Sequence, residues 1–329
     1  MDISTFLKRQ AFALLVVLLS FVQEQARADG AWFQGQKSRP EVFVFGDSLS
    51  DPGNFFVYTG MVSVAPYDVI PSAPYDILGR QFSNGPTWAQ GFAIRLGSLK
   101  SALPAFQNPV KFNNFAFGGA RARAGGQVPG AAEQLGLFLQ AHGNTAPAHA
   151  LYVVQFGGND VRDALQAASS NPAAVPQIIT EAIAATATTI QSLAVAGARR
   201  FLIANVPDLG HAPAIRMLGP AAVSGARNIA SLYNGYLEGA LQQLEIGLAP
   251  LGVDIARLDL FEFINAVVAQ PESYGLSNVT DPCLTFFVLA DPVCENPDEY
   301  LFWDGIHPTR AAHRQLAKTA VRVMKTGGQ

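Results

Sequence analysis

The stretch Glu41-Val-Phe-Val-Phe-Gly-Asp-Ser-Leu-Ser-Asp-Pro-Gly-Asn54 joins a short apolar run to a cluster of small and polar residues. An apolar run of this length that ends at a glycine is typical of a strand buried on both faces of a parallel sheet. Four later runs have the same character, and four longer segments show the apolar spacing of helices. The further strands are predicted at 113–117, 151–156, 200–205 and 253–260, and the helices at 86–96, 176–198, 223–248 and 308–325.

Strands that alternate with helices indicate βαβ crossovers, and hence a parallel sheet covered by helices on both faces. The sequence therefore predicts an α/β fold with a central five-stranded parallel sheet. Residues 55–80 show no clear periodicity and are expected to form a long loop. Because no linker divides the chain after its N-terminal segment, residues 29–329 are expected to form a single domain.

The overall composition excludes several classes of function. The chain has 329 residues, 22 lysines and arginines, 25 aspartates and glutamates, and a net charge of −3. An acidic chain without a basic stripe lacks the electrostatic footprint of a nucleic-acid binder, so no nucleic-acid partner is expected. Two cysteines cannot form a multi-cysteine zinc module, and the five histidines show no ligand spacing, so no metal site is expected.

The first 28 residues have the character of a secretory signal peptide. Lys8 and Arg9 precede an apolar run at 11–22, and Ala26-Arg27-Ala28 provides a small-x-small cleavage pattern. The apolar run is shorter than the ~20 residues that a membrane-spanning helix needs. We therefore expect a secreted or periplasmic protein whose mature chain starts at Asp29 and contains no transmembrane segment.

Polar residues follow three predicted strands and precede the last predicted helix. Ligands of open parallel sheets bind beyond the carboxyl ends of the strands, where these residues are expected to meet. Each signal is weak alone, since such residues also cap helices and form turns, but their joint placement is informative. The segments are Asp47-Ser48, Gly118-Gly119, Gly157-Gly-Asn-Asp160 and Trp303-Asp-Gly-Ile-His-Pro308.

The residue types in these segments fit acyl transfer by an activated serine. Ser48 can serve as the nucleophile if His307 accepts its proton, and Asp304 can fix the tautomer of that imidazole. The Asn159 amide and the backbone N–H groups of Gly119 and Ser48 can donate hydrogen bonds to an oxyanion. An α/β-hydrolase is the alternative architecture, but its Gly-x-Ser-x-Gly elbow would need a glycine at residue 50, which is serine.

Several blocks of the sequence resemble those of the GDSL family, also called SGNH hydrolases. They occur in family order over residues 41 to about 325. The blocks are Phe45-Gly-Asp-Ser-Leu-Ser-Asp-Pro-Gly-Asn54, Asn114-Phe-Ala-Phe-Gly-Gly-Ala120, Gly157-Gly-Asn-Asp160 and Trp303-Asp-Gly-Ile-His-Pro-Thr309, and Gln81-Phe-Ser-Asn-Gly-Pro-Thr-Trp88 resembles a segment of the larger secreted members.

The resemblance implies a three-layer α/β/α, flavodoxin-like fold and a serine esterase or lipase without a metal or organic cofactor. It implies a catalytic triad of Ser48, Asp304 and His307. It also implies an oxyanion hole formed by Ser48, a glycine of the second block and Asn159. Of the two adjacent glycines, we choose Gly119 over Gly118.

The sequence thus predicts a secreted serine esterase whose substrate is a small-molecule or lipid ester. Phospholipid esters belong to this substrate class, and a lipid substrate would involve a transient contact with a lipid surface. Two alternatives stay open: an acyltransferase to a lipid or sugar alcohol, and a catalytically silent surface-binding module. Phe55, Phe56 and the loop at 61–70 are candidates for the wall of an acyl or leaving-group pocket. Cys283 and Cys294 are expected to form a disulfide, because an exported chain meets oxidising conditions.

Overall fold

The computed structural model describes residues 40–60, 80–285 and 293–326. Its main sheet has four parallel strands in the order β1-β2-β3-β4, formed by Val42–Gly46, Leu151–Gln155, Arg200–Ala204 and Asp254–Leu258. Val42 pairs with Leu151, Leu151 with Arg200, and Arg200 with Asp254, so the first residues of the four strands are aligned in register. The predicted α/β class with a parallel sheet is confirmed.

The segment predicted as a fifth strand, 113–117, lies beside β1 without forming a continuous strand. The Phe115 N–H donates to the Val44 carbonyl and the Phe117 N–H to the Gly46 carbonyl. Asn114 forms isolated parallel bridges with Val44 on one side and Pro104 on the other. Because the Asn114 Oδ1 accepts the Ala116 N–H at 3.0 Å, the ladder is interrupted, although the segment occupies the edge position of a fifth strand.

Nine α-helices are found among the described residues. They are α1 (Asn54–Thr59), α2 (Trp88–Arg95), α3 (Ala131–Ala141), α4 (Gly158–Ser170), α5 (Val175–Ala196), α6 (Pro213–Arg216), α7 (Pro220–Leu248), α8 (Leu260–Ala269) and α9 (Arg310–Thr326). Helix α1 falls within the stretch expected to be a loop, and residues 61–79 lie outside the described residues. Pro308 was expected at the first position of the last helix, but that helix begins at Arg310, because Thr309 Oγ1 accepts the Ala312 N–H at 3.3 Å and caps it.

The helices form two layers, one on each face of the sheet. Phe43 and Phe45 point into the core beneath α3, α4, α5 and α7, whereas Val42 and Val44 point into the core beneath α2, α8 and α9. This alternation follows from the two-residue period of a strand. The molecule is therefore a three-layer α/β/α sandwich in which β1 to β3 are almost completely buried.

A second, two-stranded parallel sheet joins β5 (Asn278–Pro282) to β6 (Tyr300–Phe302) and was not predicted. The predicted disulfide between Cys283 and Cys294 is present and follows β5 directly. The Leu284 N–H donates to the Trp303 carbonyl at 2.7 Å, so this region supports the turn at Asp304. The short strands alternate irregularly between polar and apolar residues, so the sequence carries little signal for them.

Within the described ranges, the stretch Pro172–Ala196 is long and apolar enough to cross a membrane by length and composition. Length and composition alone therefore do not distinguish this stretch from a membrane-spanning helix. The α5 part of this stretch packs against α3, α4 and α7, and Ile179, Ile190 and Leu193 lie fully buried in the core. These contacts are those of a core helix.

Candidate active site

The turn after β1 places Ser48 at the carboxyl edge of the sheet. The Asp47 carboxylate accepts the Leu49 N–H at 3.0 Å, and the Asp47 carbonyl accepts the N–H groups of Ser50 and Asp51. Ser50 in turn donates to the Gln155 side chain of β2 at 2.8 Å. The turn is therefore fixed from both sides, and it leaves Ser48 half-buried.

The structure brings the Ser48 hydroxyl to the imidazole of His307, 259 residues away along the chain. Ser48 Oγ lies 2.9 Å from His307 Nε2, and His307 Nδ1 lies 2.7 Å from Asp304 Oδ2. The other carboxylate oxygen of Asp304 accepts the N–H groups of Ile306 and His307 at 2.8 and 2.7 Å. The three predicted residues thus form one continuous hydrogen-bonded chain.

Asp304 is completely buried but remains charged. Burial by itself raises the pKa of its carboxyl, but the attraction of His307 and the hydrogen bonds from His307 and Ile306 outweigh it, and the pKa lies below its usual value. An ionised carboxylate accepts a hydrogen bond from Nδ1–H, so the proton of the neutral imidazole stays on Nδ1 and Nε2 is free to accept the Ser48 hydroxyl proton. The hydrogen-bond network therefore fixes the tautomer that a general base needs.

The structure distinguishes the two adjacent glycines. The Gly118 N–H is occupied, because it donates to Asp51 Oδ2 at 2.7 Å. The N–H groups of Gly119 and Ser48 donate no hydrogen bond within the described part of the chain. A Cβ at Gly118 would overlap the ring of Phe82, whereas Gly119 has a φ of +77°, which favours glycine. The geometry therefore favours Gly119 as the oxyanion donor.

Asn159 stands at the start of α4 and lines the same cavity as Ser48. One N–H of its amide donates to the Ala120 carbonyl at 2.8 Å, and the second remains for a ligand. This bond also ties Asn159 to the glycine segment. Ser48, Gly119 and Asn159 thus come from the ends of three neighbouring segments of the sheet.

Two buried carboxylates hold these loops in place. Asp51 accepts the N–H groups of Gly53, Phe55 and Gly118 at 2.7 to 3.1 Å, as well as that of Asn54. Asp160 accepts the Ala122 N–H at 2.9 Å and joins Arg123 in an ion pair at 3.5 Å. Burial raises the pKa of Asp51 to about 6 and also raises the pKa of Asp160.

An apolar cleft extends from the Ser48–His307 pair along the carboxyl edge of the sheet. Its apolar side chains come from five segments, namely the turn after β1, the segment from the end of β3 through α6, α8, the segment from β6 to the His307 turn, and α9. Sequence reasoning did not identify this wall. The rule that ligands lie beyond the strand ends could have singled out the runs after β3 and β4. The apolar lining comprises Leu49, Leu209, Ala212, Ile215, Leu260, Phe263, Ile264, Phe302, Ile306, Ala312 and Leu316.

Phe55 does not line this cleft, contrary to expectation. Its ring packs against Phe82 and Phe117 at centroid distances of 5.4 and 5.7 Å, and the Phe82 ring lies 5.3 Å from that of His307. Phe56 is not among the lining residues either, and Arg80 lies over its ring at 4.9 Å. The loop at 61–70 falls outside the described residues.

Within the described residues, no group of three or more histidine, cysteine, aspartate or glutamate side chains could hold a metal ion. The site as described consists of a hydroxyl, an imidazole, a carboxylate and a set of N–H donors. Such an arrangement can activate a serine and stabilise an oxyanion.

Known proteins share this sequence pattern. The family model described as GDSL-like lipase/acylhydrolase matches residues 42–320. A GDSL esterase/lipase of Arabidopsis thaliana is 25% identical, over 95% of this chain and 97% of the relative. The thermolabile hemolysin of Vibrio parahaemolyticus is 26% identical, over 84% of this chain and 62% of the hemolysin. Among solved structures, an extracellular lipase from Streptomyces rimosus has a TM-score of 0.39 and 15% identity, over 87% of this chain and 100% of that chain.

Proposed function

The chain belongs to the GDSL-like lipase/acylhydrolase family and is a carboxylic-ester hydrolase; on this premise we propose that it cleaves its ester through an acyl-enzyme on Ser48. The observation that carries the proposal is the chain of hydrogen bonds at 2.9 and 2.7 Å from Ser48 through His307 to Asp304. A serine hydroxyl is a weak nucleophile until a neighbouring base accepts its proton.

In the first half of the reaction, Ser48 Oγ attacks the ester carbonyl carbon while its proton passes to His307 Nε2. The charge that develops on the imidazole is stabilised by the ionised Asp304, which stays unprotonated. The carbonyl oxygen becomes an oxyanion that accepts hydrogen bonds from the N–H groups of Ser48 and Gly119 and from the Asn159 amide. Collapse of this intermediate breaks the ester bond, and the alcohol leaves with the proton from His307.

In the second half, a water molecule attacks the acyl-enzyme and gives its proton to His307 Nε2. The same donors stabilise the second oxyanion, because the carbonyl oxygen occupies the same place in both intermediates. Release of the carboxylic acid returns the proton to Ser48 Oγ. Each half therefore uses His307 first as a base and then as an acid.

The apolar cleft supports an ester with an apolar acyl chain, which makes lipid esters the proposed substrate class. Phe263 and Ile264 of α8 and Leu316 of α9 offer a wall of aliphatic and aromatic side chains next to the nucleophile. Ligand pockets of this kind bind apolar groups by removing them from water. The alcohol portion then faces the open end of the cleft.

We place the contact with a lipid surface at Met217 and Leu218. These side chains are 85% and 69% exposed and directly follow α6, whose Ile215 lines the cleft. Exposed neighbouring apolar side chains at the rim of an apolar cleft fit an apolar interface better than bulk water. A lipid at this surface has a short path to Ser48.

Export of the chain is also part of the proposal. The basic residues, apolar run and small-x-small pattern of residues 1–28 support a cleaved leader, and the disulfide supports an oxidising compartment for the single domain at 29–329. N-terminal sequencing of the exported protein is expected to start at Asp29. A start at Met1 would contradict the proposed leader.

The nucleophile is tested by covalent labelling with a fluorophosphonate, which reacts with activated serines. We expect stoichiometric labelling of the wild type and of Ser169→Ala, a control at an exposed serine of α4, and no labelling of Ser48→Ala. Hydrolysis of a short-chain chromogenic ester is expected to fall by at least about 10³-fold in Ser48→Ala. Labelling that persists in Ser48→Ala would refute the assignment. Product analysis with a competing alcohol separates hydrolysis from acyl transfer.

A further inference from the structure

The cleft carries one feature that ester hydrolysis itself does not require. Arg162 of α4 lines it together with Ser48, Asn159 and His307, and it is the only lysine or arginine among the described residues of the lining. Its side chain is half-buried. A guanidinium in the lining of a mostly apolar cleft can bind a ligand of complementary charge.

Arg162 differs from the neighbouring arginines in having no carboxylate partner within the described residues. Arg121 and Arg123 both form ion pairs with Asp163, which follows Arg162 in sequence. Arg227 of α7 binds Asp208, another lining residue, at 2.7 Å. The fixed carboxylates of this region are therefore engaged with other arginines, and the Arg162 guanidinium keeps its hydrogen-bond donors for a ligand.

The layer arrangement separates the Arg162 charge from the apolar wall. Phe263 and Leu316 belong to the layer of α8 and α9, whereas Arg162 belongs to α4 in the opposite layer. Arg162 follows Asn159 by three residues, which puts both on one face of α4 at about 4.5 Å along the helix axis. A substrate with its acyl chain on the α8–α9 wall and its carbonyl at Asn159 therefore directs its alcohol portion towards Arg162.

Building on the proposed function, we propose that Arg162 is a specificity-determining residue that binds a phosphodiester on the alcohol portion of the ester. A guanidinium matches two phosphate oxygens with parallel N–H donors, which makes this contact both strong and directional. The substrate class is thereby narrowed to acyl esters of an alcohol that carries a phosphodiester, as glycerophospholipids do.

The two acidic residues of the lining do not oppose this assignment. Asp208 accepts hydrogen bonds from the Gly210 N–H at 3.0 Å and from Arg227, so its charge is compensated. Asp47 points into the buried turn, where it accepts the Leu49 N–H. Arg162 is therefore the uncompensated charge in the lining of the cleft as described.

The test compares two soluble esters that share an octanoyl chain, 1-octanoylglycerol and 1-octanoylglycero-3-phosphomethanol. The measured quantity is the ratio of kcat/KM for the phosphodiester to kcat/KM for the neutral ester. We expect this ratio to fall about tenfold in Arg162→Gln and less in Arg162→Lys, since the loss of a charge-assisted bidentate contact has about this effect. Arg322→Gln, at an exposed position of α9, is the matched control and is expected to keep the wild-type ratio.

A ratio within twofold of the wild type in Arg162→Gln would overturn the proposal and make Arg162 a solvated surface arginine. Inorganic phosphate distinguishes a headgroup site from a site for the free anion. We expect millimolar phosphate not to inhibit hydrolysis of the neutral ester. If phosphate inhibits the wild type but not Arg162→Gln, Arg162 binds the free anion, and its assignment to the substrate headgroup is overturned. Ser48→Ala is assayed in parallel, because activity that persists in it reports failure of the proposed mechanism whatever the ratio.

Discussion

At the scale of single residues, the buried Asp47 carboxylate holds the turn that positions Ser48, and its burial lowers the stability of the folded protein at neutral pH. Asp47 is almost fully buried directly before the nucleophile, and its carboxylate accepts the Leu49 N–H that closes the turn. Burial raises the pKa of Asp47 from 3.8 to about 6, while hydrogen bonds from Leu49 and Gln155 and the charge of His307 partly offset this effect. The folded protein therefore holds this proton more tightly than the unfolded chain does.

The pKa of Asp47 predicts a pH-dependent contribution to stability. Between pH 3.8 and about 6 the folded state binds more protons at Asp47 than the unfolded state does. The contribution of Asp47 to the free energy of unfolding is therefore largest below pH 3.8 and is lost as the pH rises through 6. Asp47→Asn removes this dependence. We expect the stability of Asp47→Asn relative to the wild type to increase from pH 4 to pH 7, by at most about 3 kcal/mol.

Urea unfolding of both proteins at several pH values, with the disulfide intact, measures this difference. Ser169→Ala, at an exposed serine of α4, serves as the control, because it changes no titratable group, and is expected to show a difference that does not vary with pH. A difference between Asp47→Asn and wild type that stays constant across the same range would show that Asp47 titrates alike in both states.

The sequence predicted the proposed reactive residues better than their surroundings. Ser48, Asp304 and His307 could be named because each follows or precedes a recognisable element and belongs to a block of family type. The choice between Gly118 and Gly119 depends on a hydrogen bond from Gly118 to Asp51, 67 residues away. Such a contact exists only in the folded chain, and neither it nor the placement of Arg162 has a local signal.

At the scale of elements, the segment 81–88 connects the His307 turn to α2. Ser83 Oγ donates to the Pro308 carbonyl at 2.9 Å, and the Arg310 N–H donates to Asn84 Oδ1 at 2.7 Å. At its end the Trp88 N–H donates to Nδ1 of the buried His313 at 3.1 Å. Burial, with a smaller effect from His307, lowers the pKa of His313 to about 3, so this ring stays neutral and accepts the bond.

These contacts predict a role for Ser83 in positioning His307. Ser83→Ala leaves the Pro308 carbonyl without its donor, which costs about 1 kcal/mol of stability. Because Pro308 adjoins His307, we expect kcat on a soluble ester to fall on the order of fivefold with KM unchanged. Ser83→Thr, which retains the hydroxyl, is expected to restore most of the rate.

Asn84→Ala is the matched control, because it removes one hydrogen bond between the same segment and the start of α9. It is expected to lower the unfolding midpoint by a similar amount and to leave kcat within twofold of the wild type. If Asn84→Ala and Ser83→Ala reduce kcat equally, loosening of the whole segment explains the effect and a specific role of Ser83 is excluded.

The elements themselves could be predicted wherever the sequence is periodic. The strands β1 to β4 and the helices α2, α5, α7 and α9 lie close to their predicted places, because apolar runs and helical spacing are local properties. The two-stranded sheet at β5 and β6 was missed, since its residues are only partly buried and carry no clear alternation. The wall of the cleft was missed because it assembles from five separate segments that the sheet brings together.

At the scale of the whole molecule, the parallel strands give the sandwich two different edges. Every strand of the main sheet ends at the edge that carries Ser48, and the helices α5 and α7 return the chain to the opposite edge. Met217 and Leu218 follow β3 and so lie on the edge of the cleft. Val195 and Ile246, which are 74% and 71% exposed, lie near the ends of α5 and α7 and so on the opposite edge.

This difference between the two edges of the sheet predicts that only the edge beside the cleft engages a lipid surface. Met217→Ser/Leu218→Ser is expected to lower the rate on phospholipid vesicles, relative to the rate on a soluble octanoyl ester, by about tenfold, because two apolar side chains can no longer leave water at the interface. Val195→Ser/Ile246→Ser removes as many exposed apolar side chains from the other edge and is expected to keep the wild-type ratio. Vesicle sedimentation measures binding directly in both variants. Equal losses in the two variants would show that general surface hydrophobicity, and not the edge beside the cleft, governs access to lipid.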